Sequence, residues 1–257
     1  MTLHQLPVAN KDKVIIVGAG IGGLASSLRL SHLGYDVEVI ERANSAGGKL
    51  RTITGSTGEI DIGPTVLTLL PIFQKLFKSV GEDIFEHIDL VRQKIIARHW
   101  WPDGTSLDLY DDFETSRDAI MKFSGSASAI EFEKYFHDTR DLFSCFDLPV
   151  MQNPRPSMLD MNLAVLSNPK ILSKLHPLRT LSSLLNYKFQ DKRLRQLFGR
   201  YATYVGGSPL ESPALLSLVW QAEAQGVWSI KGGMRKLARV IEQLAKARGA
   251  SFNYGTD

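Results

Sequence analysis

The chain has 257 residues, 44% of them hydrophobic and 22% charged, which is enough apolar material for one large domain or two smaller ones and excludes a disordered chain. Its net charge of +3 singles out no partner. The one cysteine, Cys145, excludes an internal disulfide and fits a reducing, cytoplasmic setting.

The first pattern is "KVIIVGAGIGGLASSLRLSHLGYDVEVIER". Lys11 and Lys13 before the apolar run imitate a leader peptide, but the glycine spacing has a better explanation. Residues 14–17 are apolar and β-branched, as a buried parallel strand requires. Gly18, Gly20 and Gly23 then fit G-x-G-x-x-G. Gly18 permits the tight turn, Gly20 lets backbone approach a pyrophosphate, and Gly23 lets the next helix pack on the strand. The pyrophosphate of such a site rests on the positive end of that helix. Leu24 and Leu28 recur at helical spacing up to Gly34. "YDVEVIE" is a second strand with Tyr35, Val37 and Val39 on one face. It ends at Glu41, about 20 residues on, where an acid binds ribose hydroxyls and repels a 2′-phosphate. The segment predicts a dinucleotide site that does not take NADP.

"ERANSAGGKLRT" follows. Gly47 and Gly48 allow a second close backbone approach, and Lys49 and Arg51 bring charge suited to phosphate. From the residues alone a solvated glycine loop fits equally well. In "GEIDIGPTVLT", Gly63 and Pro64 break a short strand and precede Thr65. That reads either as a plain turn or as a loop that approaches a flat ligand.

"IIARHWWPDGTSLDLY" predicts a hairpin turning at Pro102-Asp103-Gly104, with core packing as the default for Trp100 and Trp101. Asp111 and Asp112 offer N-caps for a helix that Gly125 stops, and Ser128 with Glu131 predicts a capping box for the next. Phe132, Phe136, Phe143 and Phe146 form a stripe on it, and Cys145 reads as a small core residue beside them. Residues 149–177 are punctuated by proline. Residues 166–200 carry eight basic side chains against the single acid Asp191, with leucines between. Such a segment suits either an anionic membrane surface or a solvated helical face; no nucleic-acid motif accompanies it. "VWSI" predicts a strand, Gly232-Gly233 a helix start, and Met234, Leu237, Ile241 and Leu244 its buried stripe. The chain closes on "ASFNYGTD", the opening of a strand. His4, His32, His87, His99, His137 and His176 show no metal-ligand spacing.

The pattern E-R-x4-G-G-[KR]-x-R-T resembles FAD-dependent oxidoreductases that include amine oxidases, protoporphyrinogen oxidases and carotenoid desaturases. "DIGPTVLT" and "SPALLSLVWQAEAQGVW" resemble the bacterial carotenoid desaturases, and within them the branch that works on hydroxylated or methoxylated acyclic carotenoids. The resemblance implies an α/β fold: a Rossmann-like FAD-binding domain in residues 1–94 and 216–257, with a mostly helical substrate domain inserted at 95–215. It implies FAD contacts at Gly18, Ala19, Gly20, Ile21, Gly22 and Gly23. Further contacts are Glu41 and Arg42; Gly47, Gly48, Lys49 and Arg51; and Gly63, Pro64 and Thr65. It implies a lipid-dissolved carotenoid substrate, which favours the membrane reading of the basic segment, at the cytoplasmic face of the inner membrane. Family members run for roughly as much chain again, so the expectation is an N-terminal half that needs a second polypeptide. A non-catalytic prenyl-lipid escort is the alternative. No catalytic residue is nominated; Asp61 and Glu59 stand near the proposed flavin loop.

Overall fold

The computed structural model describes residues 12–56 and 58–256; His4 and Lys11 lie outside them. The chain divides into two compact units, one of residues 1–92 with 227–257 and one of residues 93–226. The return to the first unit therefore falls at Val227, not at 216. Residues 216–224 stay with the second unit because Trp220 is part of its aromatic core.

The first unit opens with β1 (Lys13–Val17), α1 (Ile21–His32) and β2 (Asp36–Glu41). β1 and β2 pair in parallel, with Val14 opposite Val37. Val37 and Val39 are fully buried beneath Leu24 and Leu28 of α1. Each such side chain contributes about 1.5–3 kcal/mol by leaving water. β1 itself is not buried as its composition suggests. Ile15 is 56% and Val17 86% exposed. The reason is topological: the sheet order is β1-β2-β9, so β1 is an edge strand among the described residues. Tyr35 precedes β2 and is exposed rather than sharing the buried face of Val37 and Val39.

β3 (Thr52–Gly55) and β4 (Gly58–Asp61) form an antiparallel hairpin. α2 (Leu70–Lys78), α3 (Ile84–His87) and β5 (Leu90–Arg92) complete the first pass. Asp83 caps α3 by accepting the Phe85 amide.

The second unit begins with the hairpin of β6 (Ile95–Trp100) and β7 (Ser106–Tyr110). Arg98 and Asp108 face each other across it in a two-pronged ion pair at 2.6 and 2.7 Å. Trp101 turns inward, its ring 5.1 Å from that of Phe123 and its Nε1 donating to Gln196. Trp100, on the opposite face, is 70% exposed and is not core. Asp112 caps α4 (Phe113–Phe146) by accepting the Thr115 amide. Gly125, at φ 88°, breaks that helix where the sequence places a stop. The capping box at Ser128 and Glu131 does not form. The helix resumes right after Gly125, so Ser128 already lies inside it, its hydroxyl 2.9 Å from that of Ser124. Glu131 instead accepts the Gln190 amide.

α5 (Met158–Ser167), α6 (Leu172–Leu175), α7 (Leu181–Lys188), α8 (Lys192–Gly199) and α9 (Gln221–Ala224) follow. Their core is aromatic. Tyr135 and Phe198 rings stand 4.7 Å apart, and Phe189 stacks on Phe198 at 5.2 Å. The Thr139 hydroxyl accepts from Trp220 Nε1 and Gln221 Nε2, so both buried donors are satisfied.

The chain returns through β8 (Trp228–Ile230), antiparallel to β5, then α10 (Arg235–Ala247) and β9 (Ser251–Tyr254). Leu237 and Ile241 of α10 are buried in the same core as α1. β9 is not a loose strand: it pairs in parallel with β2, Phe252 opposite Val39.

Asp191 fastens the second unit. Its carboxylate accepts from the Ser124 hydroxyl at 2.5 Å and from the Arg193 guanidinium at 2.7 Å, and it caps α8. The Arg193 hydrogen bond, then Ser124, hold this carboxyl well below the usual carboxylate range. A depressed folded pKa gives stability that is complete above the unfolded value and lost as pH falls below it. Asp191→Asn should lower the unfolding free energy at neutral pH by about 1.5–3 kcal/mol. It should also flatten the loss of stability on acidification below about pH 4. Denaturant titrations at several pH values check both.

Candidate functional site

Three glycine-bearing segments converge in the first unit. Gly18 takes φ 95° and donates its amide to the Ile40 carbonyl at 2.7 Å, turning the chain between β1 and α1. A Cβ on Gly23 would stand 2.0 Å from the Gly18 carbonyl oxygen, so only glycine lets the helix start there. No side chain caps α1 and no acid lies in its first turn, which leaves the positive helix end for an outside anion. Ile21 and Gly22 form the exposed start of that turn.

The second segment docks on the first. The Gly47 amide donates to the Ala19 carbonyl at 2.9 Å, and a Cβ on Gly48 would stand 3.0 Å from Gly20 Cα. The third docks on the second. The Ile62 amide donates to the Arg51 carbonyl at 2.9 Å, and a Cβ on Gly63 would fall 1.9 Å from the Lys49 carbonyl oxygen. Pro64 and Thr65 are exposed just beyond.

Glu41 sits at the junction. Its carboxylate accepts the Ala19 amide at 2.6 Å and the Ala43 amide at 2.9 Å. These amides, Ala43 first, hold the carboxyl below its ordinary pKa and therefore ionised. Sequence spacing predicts a ribose acceptor; the structure adds a strut that ties the glycine turn to the end of β2. A carboxylate has about four acceptor sites, so two amides leave room for hydroxyl donors.

Beside Glu41 lies a cavity of about 480 Å³. Arg42, Lys49, Arg51 and Arg235 line it with Gly48, Ser45 and Thr52. Four cations around one carboxylate form a receptor for an anion of more than one charge. Gly20 meets Gly48 of the cavity wall; Gly18, Gly20, Gly23, Pro64 and Thr65 are not themselves part of that wall.

Arg235 is the residue that sequence reasoning missed. It opens α10, where no spacing relates it to the glycine segments. Its guanidinium donates to Thr52 Oγ1 at 2.8 Å and Ser45 Oγ at 3.0 Å, gripping both ends of the 45–52 loop. Asp61 and Glu59 are structural. Asp61 Oδ2 accepts the Met234 amide at 2.8 Å, and Glu59 pairs with Arg239 at 3.2 Å. Asp61 Oδ1 is buried without a protein partner, so this loop keeps one acceptor in reserve.

In the second unit, Phe113, Phe132, Phe136 and Trp220 form the apolar part of a cleft of about 240 Å³. The basic run is less free than its composition suggests. Lys174 pairs with Asp141 at 2.6 Å and Asp138 at 3.1 Å, and Lys188 with Asp138 at 2.7 Å. Arg193 pairs with Asp191, and Arg200 with the buried Glu223 at 2.5 Å. Counting within residues 166–200 omits the carboxylates that α4 and α9 supply. Among the described residues, no group of three or more His, Cys, Asp or Glu is placed to hold a metal ion. Among the described residues, no helix is long and apolar enough to cross a membrane.

The chain is similar to known proteins in sequence and fold. Residues 16–82 match the family "NAD(P)-binding Rossmann-like domain". The chain is 44% identical over 243 residues to the hydroxyneurosporene desaturase of Cereibacter sphaeroides, and 43% identical over 246 residues to that of Rhodobacter capsulatus. These alignments cover 95% and 96% of this chain but 49% and 50% of the relatives, so the chain spans about half the length of the curated relatives it matches. Among solved structures, an oxidoreductase from Methanosarcina mazei shares the fold, with a TM-score of 0.62 at 18% identity over 95% of this chain and 51% of that one. By sequence the chain is similar to the hydroxyneurosporene desaturases over about half of their length.

Proposed function

We propose that the chain is the cofactor-binding and partial substrate-handling portion of an FAD-dependent carotenoid desaturase. The observation that carries this reading is the docking of residues 18–23, 47–51 and 61–63 on one another, beside a cationic cavity lined by Glu41, Arg42, Gly48, Lys49, Arg51 and Arg235. The residues fit the cofactor. Glu41 accepts ribose hydroxyls while it holds the glycine turn. Arg42, Lys49, Arg51 and Arg235 balance the two phosphates. Gly20 and Gly48 leave no side chain between backbone and ligand.

Bound FAD would supply the hydride acceptor that turns a CH–CH pair of the polyene into C=C. The chain's own task is alignment and exclusion of water, and the apolar cleft at Phe132, Phe136 and Trp220 contributes an apolar wall of that kind. The relatives' name supports a hydroxylated carotenoid as substrate; the reading takes it to be acyclic and 1-hydroxylated or 1-methoxylated, drawn from the cytoplasmic face of the inner membrane. The reading also includes a second polypeptide that completes the enzyme. The exposed Ile15 and Val17 on the outer side of β1 support it, since a dinucleotide-binding strand with apolar residues in water calls for cover.

The purified chain should bind FAD and show its yellow absorbance; a colourless protein that cannot be reconstituted would overturn the reading. Together with its completing polypeptide it should red-shift the absorbance of a hydroxylated acyclic carotenoid, and FAD binding without any shift would remove the desaturase assignment. Arg235→Gln should weaken ADP binding by about tenfold, the worth of one charge-assisted contact. Arg235→Lys should recover part of that loss for ADP, and neither change should alter adenosine binding. Calorimetric titration reads these differences. Gly63→Ala forces Cβ onto the Lys49 carbonyl and should cost about 1–3 kcal/mol of stability along with FAD affinity.

A further inference from the structure

Helix α5 has its amphipathic faces reversed. Asp160, Met161, Ala164 and Val165 are half-buried on the side that meets the end of α4, where the Cys145 thiol donates to the Ala164 carbonyl at 3.5 Å. The outward side carries Leu159, Asn162, Leu163 and Leu166, at i, i+3, i+4 and i+7. Its three leucines are 66%, 52% and 72% exposed. A helix on a protein surface ordinarily turns polar residues outward. Leu148 before it and Leu172 and Leu178 after it are exposed as well.

The charges around this face have one sign. Arg155 precedes α5 and Lys170 and Arg179 follow it, all exposed. Among the described residues from 148 to 179, no acid is exposed. Asp160 is turned back on its own helix start, accepting the Ser157 amide at 2.9 Å and hydroxyl at 2.7 Å. Lys174 is spent on Asp138 and Asp141. Lys170 and Arg179 thus keep their charge free of acids, close in sequence to the leucine face, while Lys192 and Arg195 carry the rest of it on α8. At ten residues α5 spans about 15 Å, half the hydrocarbon thickness, so it is a helix that lies in an interface rather than one that crosses it.

We propose that the outward face of α5, flanked by Arg155 and Lys170, is the surface on which this chain rests on an anionic lipid bilayer. The leucines enter the acyl boundary and the two cations meet lipid phosphates. This locates the membrane partner of the reading above and rests on that reading only for its purpose.

Flotation of the chain with lipid vesicles tests the proposal. The chain should float with phosphatidylcholine vesicles containing phosphatidylglycerol and float poorly with phosphatidylcholine alone. L159S/L163S/L166S should lose at least tenfold in bound fraction while keeping its circular dichroism and unfolding midpoint, because the three side chains support no core. R155Q/K170Q should lose the preference for phosphatidylglycerol. A wild-type chain that stays at the bottom of the gradient overturns the proposal, as does a triple variant that floats like wild type. So does a wild-type dimer that the leucine changes dissolve, with no flotation, since a second copy would then cover the face. FAD binding is not read in this experiment, so failure here leaves the cofactor reading standing, and the reverse also holds.

Discussion

One carboxylate organises the first unit. Asp61 ends the β3–β4 hairpin and accepts the amide of Met234, at the start of α10. That bond joins an early segment to one that follows it after the whole second unit. With α10 held there, Arg235 reaches Ser45 and Thr52, and the loop with Lys49 and Arg51 is gripped at both ends. Gly63 lies against the Lys49 carbonyl because Asp61 fixes the hairpin beside it. Gly233 is tied to the same point: a Cβ there would press on the Asp61 carboxylate at 3.0 Å. The cavity wall thus depends on a contact that is itself outside the cavity.

Local chemistry was legible in the sequence; long-range company was not. The β1–α1–β2 element could be read residue by residue, since Gly18, Gly23 and Glu41 answer to constraints set within about 20 residues. The Asp112 cap and the Gly125 break were legible for the same reason. Apolar composition at residues 14–17 implied burial, but burial depends on which strands flank β1, and composition does not encode neighbours. Ser128 and Glu131 have the letters of a capping box without the position, because the helix restarts earlier. Arg235 offered no local signal at all. The excess of positive charge in residues 166–200 fell by about half once carboxylates from α4 and α9 were in place.

The two units handle charge differently. In the first, four cations around Glu41 stand together with few internal acids, a concentration of like charge that favours an anionic ligand. In the second, buried or half-buried acids pair with half of the basic run and leave Lys170 and Arg179 unpaired with acids, close in sequence to exposed leucines. A polar, charge-dense cavity and an apolar, charge-rimmed helix face suit a protein that joins a water-soluble cofactor to an oil-soluble substrate.

The pairing of β9 with β2 has a consequence for how the chain is made. Phe252 meets Val39 across more than two hundred residues of intervening chain, so the three-stranded sheet cannot close until synthesis has passed β9. Residues 93–226 form their own contacts and emerge from the ribosome first. Once they have folded, they shorten the effective loop that the late strand must bridge, and the closure entropy falls with it. Topology therefore places the pairing of β9 with β2 after the synthesis of the whole inserted unit.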